Sequence, residues 1–338
     1  MKDRKILLSY GSGGSYMHKI IKDIFVHKFN SPTLSELTDS AVLKNLSKDY
    51  EICFTTDSYT VEPIFFPGGD IGKLAVCGTI NDIGVMGAEP LFLSCGIIVE
   101  EGLEVKILER IVQSMAITAK KAGVEIVTGD FKVVEKGKAD RIFINTSGIG
   151  IRSKKVKMGK TFIKSGDTVI INGNIGEHEL AVLLARKQFG LSASIKSDCA
   201  PLHKLIKDVL NTSDNIHFMR DPTRGGIATA LNEVADGLKY WILLYEEKIP
   251  VSKKVSSLCE ILGFDPLYLA SEGKVVIICG KKDTEKVLSA MRKHPLGRKS
   301  TVIGEVVKGY EGQVVMKTVV GSYRIVDMLS GSQLPRIC

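Results

Sequence analysis

The chain has 338 residues, 44% of them hydrophobic and 25% charged, with a formal net charge of +8. That composition excludes a disordered chain, supplies a large core, and at this length suits two packed α/β units. Lysines are spread along the chain and cluster only briefly, at Lys154-Lys155-Val156-Lys157 and Lys281-Lys282, so no nucleic-acid face is supported, whereas an anionic small substrate suits the surplus.

Seven cysteines, at 53, 77, 95, 199, 259, 279 and 338, form no Cys-x-x-Cys pair and mostly lie in apolar runs. They read as small buried hydrophobes in a reduced protein. With no signal peptide and no apolar run of bilayer length, the expectation is a cytoplasmic protein with no membrane association.

In chain order, Ile6 to Leu8 leads into the glycine-rich loop Tyr10-Gly-Ser-Gly-Gly14, and a helix follows over about 16–29 with Ile20, Ile21, Ile24 and Phe25 on one face. A loop over 30–50 carries Asp39. Glu51 to Asp57 reads as a strand ending on a carboxylate. Phe65-Phe-Pro-Gly-Gly-Asp70 then breaks the chain, and Asp70 caps a helix carrying Ile71, Leu74, Ala75, Ile83 and Met86. Strand, glycine turn and helix present backbone N–H groups to an anion, although Gly-Gly-Asp before a helix is also an ordinary turn with a cap. The spacing is not that of a Walker loop. Strands over 90–99, 124–128 and 141–150 flank a helix over 103–122 that ends at Gly123. Asp57, Asp82 and Asp130 thus fall at or near element ends, where ligands collect in α/β folds.

The basic, glycine-bounded run over 152–167 is the clearest boundary. A second unit starts at Thr168, with helices over 177–188 and 199–210 and strands at 241–244, 274–278 and 301–304. In Asp221-Pro-Thr-Arg-Gly-Gly226, Asp221 and Pro222 read as the N-cap and first residue of a helix. Thr223, Arg224 and the glycine backbone equally make a donor-rich site for phosphate, and both readings stay open for Arg224. Glu272, in the polar turn Ser271-Glu-Gly-Lys274, is expected at the surface on composition alone. The chain closes on Leu329-Ser-Gly-Ser-Gln-Leu-Pro-Arg-Ile-Cys338, a tail able to carry a nucleophilic thiol into a cleft.

The motifs Phe65-Phe-Pro-Gly-Gly-Asp-Ile-Gly72, Asn81-Asp-Ile-Gly-Val-Met-Gly-Ala-Glu-Pro90, Thr128-Gly-Asp130, Asp221-Pro-Thr-Arg-Gly-Gly226, Ser271-Glu-Gly-Lys274 and Pro335-Arg-Ile-Cys338 together resemble the HypE family, the carbamoyl dehydratases of nickel–iron hydrogenase maturation. The Asn-Asp and Met-Gly-Ala-Glu-Pro elements are shared with the wider superfamily of aminoimidazole ribonucleotide synthase (PurM), thiamine-monophosphate kinase and selenide water dikinase.

The resemblance implies a two-domain PurM-like α/β (α+β) fold. It comprises an N-terminal ATP-binding and dimerisation domain over 1–152, a C-terminal domain over 153–328 and a flexible tail over 329–338. It further implies a homodimer, ATP and Mg2+ as cofactors, the carbamoyltransferase HypF as donor and the HypC–HypD complex as cyanide acceptor. Cys338 would be carbamoylated and then dehydrated to a thiocyanate, with Glu272 or Lys132 as base. Magnesium would sit on Asp39, Asp57, Asp82 and Asp130, and nucleotide on Gly11, Ser12, Gly13, Gly14, Gly68, Gly69, Lys73, Asn81 and Arg224. Two departures bear on this: Tyr10 stands where the family usually has His, and Thr38-Asp39 where Asp-Asp is expected. The alternatives are a small-molecule kinase or synthase of the same superfamily, which would not need Cys338, and a nucleotide-gated scaffold without turnover. The dikinase normally carries a cysteine or selenocysteine in its first glycine-rich segment, and Ser9 to Ser15 has none.

Overall fold

A computed structural model describes residues 14–44, 46–187, 190–191, 193–329 and 336–338. Ile6 to Leu8 and the loop residues Tyr10, Gly11, Ser12 and Gly13 lie outside them.

A helix starts at Gly14 as α1 (Ser15–Ile20), continues through a π-helical stretch at Ile21–Val26 and ends in α2 (His27–Phe29). Strands β1 (Ala41–Leu43) and β2 (Tyr50–Tyr59) precede a small hairpin of β3 (Phe65–Phe66) and β4 (Gly69–Asp70). Helix α3 (Ile71–Val85) follows, then β5 (Glu89–Glu100), α4 (Val105–Ala122), β6 (Glu125–Val134) and β7 (Ile142–Ser153). The sheet order is β1-β2-β7-β5-β6. Only β5 and β6, joined across α4, are parallel. A crossover helix is what a parallel pair requires, and the short connection between β1 and β2 gives antiparallel neighbours.

Asp70 caps α3 as the sequence predicts, its Oδ1 accepting from Gly72 N at 2.9 Å and Lys73 N at 3.0 Å. Helix α3 is apolar around almost its whole circumference because sheet, α4 and the second domain enclose it. Its close approach to β7 depends on Gly148 and Gly150, where a Cβ would lie 2.6 and 2.4 Å from the Ile83 side chain. Asp57 and Asp130, predicted at strand ends, lie inside longer strands. Asp57 pairs with Thr146 and Asp130 with Gly96, because the alternating pattern runs on past each carboxylate.

The second domain contains β8 (Thr168–Ile171), α5 (Glu177–Ala185), α6 (His203–Leu210), β9 (Ile216–Arg220), α7 (Gly226–Ala235), β10 (Tyr240–Tyr245), α8 (Lys253–Leu262), β11 (Val276–Cys279), α9 (Thr284–Lys293), β12 (Thr301–Lys308), β13 (Val314–Lys317) and β14 (Tyr323–Ile325). The sheet order is β14-β13-β10-β12-β8-β11-β9, antiparallel except for the β10–β13 pair. The two units share apolar cores: Val85 packs with Leu202, Leu205 and Ile206, and Cys77 with Cys199, Ala270 and Ile337. None of the seven cysteines is in a disulfide. No helix among the described residues is long and apolar enough to cross a membrane.

Candidate active site

A cavity of about 520 Å³ opens between the first sheet and the β9–α7 connection of the second domain. Three of the four predicted metal-binding carboxylates meet there: Asp39 from the loop before β1, Asp57 from β2 and Asp82 from α3. Asp221 joins them, together with Arg220, Arg224, Glu272 and Cys338. The capping role read for Asp221 is overturned. Helix α7 begins at Gly226 behind a left-handed Gly225 with φ of 76°, which leaves Asp221 upstream of the helix and facing the cavity.

The charges are unbalanced. Asp39 pairs with Arg220 at 3.1 Å, and Arg220 also pairs with Glu233, which bonds His18. Asp82 Oδ2 accepts from the Thr55 hydroxyl at 3.0 Å. Burial, then repulsion from Asp221, Asp57 and Asp39, pushes its carboxyl well above the usual range. Burial and Asp39 likewise push Asp221 up to about 7. Carboxylates that raise one another in this way are short of a cation. No three His, Cys, Asp or Glu side chains among the described residues already surround one point. A magnesium ion commonly takes one or two carboxylates and completes its shell with phosphate and water, so this donor set fits it.

Cys338 is brought in by the last three residues of the chain. Arg336 O accepts from Glu62 N at 3.1 Å and from Arg186 Nη2 at 2.8 Å. Ile337 O meets His178 Nε2 at 3.1 Å, and Cys338 O accepts from Thr60 N at 3.3 Å. The Ile337 side chain is buried in the core shared by the domains, and Arg336 pairs with Asp140. The thiol thereby stands among Arg224, Glu272 and Asp57. Burial pushes it far above its ordinary value, even though Arg224 draws it down. It is docked as a neutral S–H.

Glu272, expected at the surface, is only 2% exposed. Its Oε1 has no partner among the described residues, and burial, with Cys199 and Asp221 next, holds the carboxyl well above its ordinary range. The turn is pinned by Asp198, whose Oδ1 accepts from Glu272 N at 3.1 Å and whose Oδ2 pairs with Lys274 Nζ at 2.7 Å. Gly273 is required there because a Cβ would lie 1.9 Å from Asp198 O. A polar turn between apolar segments gives no sign that another domain covers it.

Other predicted residues lie elsewhere. Lys132 and Asp130 pair with each other at 3.0 Å on the edge strand β6, each 66% exposed and outside the cavity. Gly68 and Gly69 form the β3–β4 turn, packed against the backbone of Ser197 and the Phe66 ring, and Lys73 Nζ bonds Gly68 O at 2.8 Å. Asn81 ties the domains together, giving hydrogen bonds to Ala200 O and Glu272 O and accepting one from Leu202 N. Gly14 starts α1, beside a bond from Ser15 N to Leu329 O of 2.9 Å. Arg220, Glu233 and His18 were not foreseen, since a lone charge on a strand or helix carries no motif.

Two family models match: AIR synthase related protein, N-terminal domain, over residues 37–152, and its C-terminal domain over 164–317. The carbamoyl dehydratase HypE of Rhodobacter capsulatus is 45% identical over 100% of this chain and 99% of its own length. That of Escherichia coli is 42% identical over 98% and 99%. A HypE structure solved in complex with ATP aligns with TM-score 0.82 at 44% identity, covering 99% of this chain and 100% of that one. A HypE–HypF complex aligns at 0.86 and 46%, covering 92% and 99%. An AaThiL structure with AMPPCP and TMP, at 0.68 and 19%, shares the fold. The chain therefore belongs to the AIR synthase related family and, within it, to the HypE carbamoyl dehydratases.

Proposed function

We propose that the protein converts S-carbamoyl Cys338 to a thiocyanate at the expense of ATP, supplying the cyanide ligand for the iron of nickel–iron hydrogenase. The observation that carries this reading is the seating of the terminal thiol beside an arginine, an unpartnered buried carboxyl and an unsaturated carboxylate cluster. The carboxamide oxygen attacks the terminal phosphorus of ATP, and the bond to ADP breaks. Loss of one N–H proton as the oxygen is phosphorylated leaves an O-phosphoryl imidate; the second N–H proton then leaves with a base while the C–O bond breaks and phosphate departs, so the oxygen of the lost water ends in phosphate. A carboxamide oxygen is a poor leaving group; phosphorylation makes it a good one.

Arg224 faces the thiol and is suited to hold the phosphate oxygens bidentately. Glu272 is the base supported within one copy of the chain, its free Oε1 available to the nitrogen. Asp57, Asp82 and Asp221 would hold Mg2+, which neutralises phosphate charge and aligns the transfer.

HypF is the carbamoyl donor in this reading, as the complex of a 46% identical relative supports, and HypC–HypD the acceptor of cyanide. A homodimer is supported by the outer face of the first sheet. Phe54, Phe92, Ile98 and Ile149 share that face and are each at least 41% exposed, and a face of that kind marks an interface. Such a dimer would supply Asp130 and Lys132 to a neighbouring copy. The expected setting is cytoplasmic.

The test is chemical carbamoylation of Cys338 with cyanate, then MgATP, with the C-terminal peptide followed by mass spectrometry. Loss of one water only with ATP is the expected result. A persistent carbamoyl mass beside undiminished ATP consumption by a C338A variant overturns the reading.

A further inference from the structure

The last three residues are held by their main-chain oxygens, by the buried Ile337 side chain and by the Arg336 guanidinium, which leaves the thiol free to carry different chemistry in the same seat. One contact in that seat differs from the rest. Helix α5 directs His178, fully buried, at Ile337 O. A carbonyl only accepts, so Nε2 carries the proton. Burial draws the imidazole below its ordinary value, which makes it neutral and leaves Nδ1 as an acceptor. Ser197 Oγ, 2.8 Å from Nδ1, therefore donates to it, and the same oxygen accepts from Cys199 N at 3.1 Å. The loop carrying Ser197 is fixed by Ser197 N to Pro67 O at 2.7 Å. The Phe66 ring meets the imidazole edge-on, with centroids 5.4 Å apart.

We infer that His178 is the positioning residue of the docked tail, its tautomer fixed by Ser197 so that a buried N–H always faces Ile337 O. When the tail leaves, that N–H is stranded in an apolar pocket with no other acceptor described, so the pocket itself favours docking. The direction is set by Ser197, which meets the ring from a separate loop: a serine hydroxyl turns to suit, whereas alanine at 197 removes the donor and lets the ring take the other tautomer. His178 touches neither the thiol nor the cavity; it acts through the main chain one residue away from Cys338.

This rests on Cys338 as the reacting thiol, but its first readout does not. The full-length protein is treated with iodoacetamide and alkylation of the C-terminal peptide is timed, comparing the parent with H178A, H178Q and S197A. Docking hides Cys338 and keeps it protonated, so H178A should alkylate about tenfold faster, the factor that one net hydrogen bond of about 1.4 kcal/mol represents. S197A should lie between. H178Q, which restores an amide donor near the position of Nε2, should return towards the parent. Single-turnover loss of water from carbamoylated Cys338 should fall in the same order, with ATP affinity unchanged. If H178A does not fold, H178Q and S197A decide.

Equal alkylation rates across folded variants overturn the inference, as does a dehydration defect without a change in alkylation. If alkylation follows the expected order but the parent itself loses no water, the positioning role stands and the proposed reaction fails.

Discussion

Asp198 is the residue on which the placement of Glu272 turns. It is buried beside Lys274, itself 8% exposed, and its two oxygens take the ammonium at 2.7 Å and the Glu272 N–H at 3.1 Å. Asp198→Asn keeps the shape and removes the charge. It leaves a buried ammonium without its counterion, a change that costs about 3–5 kcal/mol. At about 2–4 °C per kcal/mol for a domain of this size, the melting temperature should fall by roughly 6–20 °C in differential scanning calorimetry. The double variant D198N/K274M removes both charges and should recover most of the loss. The effect has a pH signature. Burial raises the Asp198 carboxyl, but Lys274, through charge and hydrogen bond, then His178 and the Glu272 N–H, bring it below the ordinary value. A depressed carboxylate gives stability that is present above the unfolded value of about 3.9 and is lost as pH falls through the folded value. The parent should lose this contribution on acidification below about pH 4, and the variant should have none to lose. A shift below about 2 °C, or a double variant no better than the single one, refutes the reasoning.

Two further outcomes follow from the cavity. Glu272→Gln should lower single-turnover dehydration at least about 100-fold, because the base is gone, and it should move the melting temperature by less than about 3 °C, because the amide keeps the shape of the carboxyl it replaces. Asp221→Asn should weaken MgATP binding in calorimetric titration. With its carboxyl pushed up to about 7 against about 3.9 unfolded, Asp221 withdraws stability as pH rises between those values, so the variant should be stabilised by about 1–3 kcal/mol at pH 8 and by less at pH 5.

Much of the architecture is written locally. The Asp70 cap, the glycine stop at 123 and the apolar periods give the elements. Asp82, Arg224 and Cys338 were legible as candidates because each sits in a motif, Asp57 because it closes a strand pattern, and Asp39 as a carboxylate in the loop before it. The sequence does not state which side chains another domain covers. Glu272 is exposed by composition and buried in fact where the first domain meets its turn, Asn81 Nδ2 donating to Glu272 O. Asp221 has the form of a cap and faces the cavity because two left-handed glycines delay the helix. The turn at Gly68 looks like a phosphate cradle, and its space is taken by Ser197. Lys132 and Asp130 are polar residues on an edge strand whose exposed neighbours Phe131 and Val133 are apolar, a pattern that becomes informative once the strand is known to be an edge.

The account is tested most directly by the fate of one oxygen atom. Cys338 is carbamoylated with ¹⁸O-labelled cyanate, MgATP is added for a single turnover, and the phosphate released is analysed by mass spectrometry. The account predicts one labelled oxygen in that phosphate and a C-terminal peptide lighter by one water. Unlabelled phosphate released beside an intact carbamoyl peptide would contradict it.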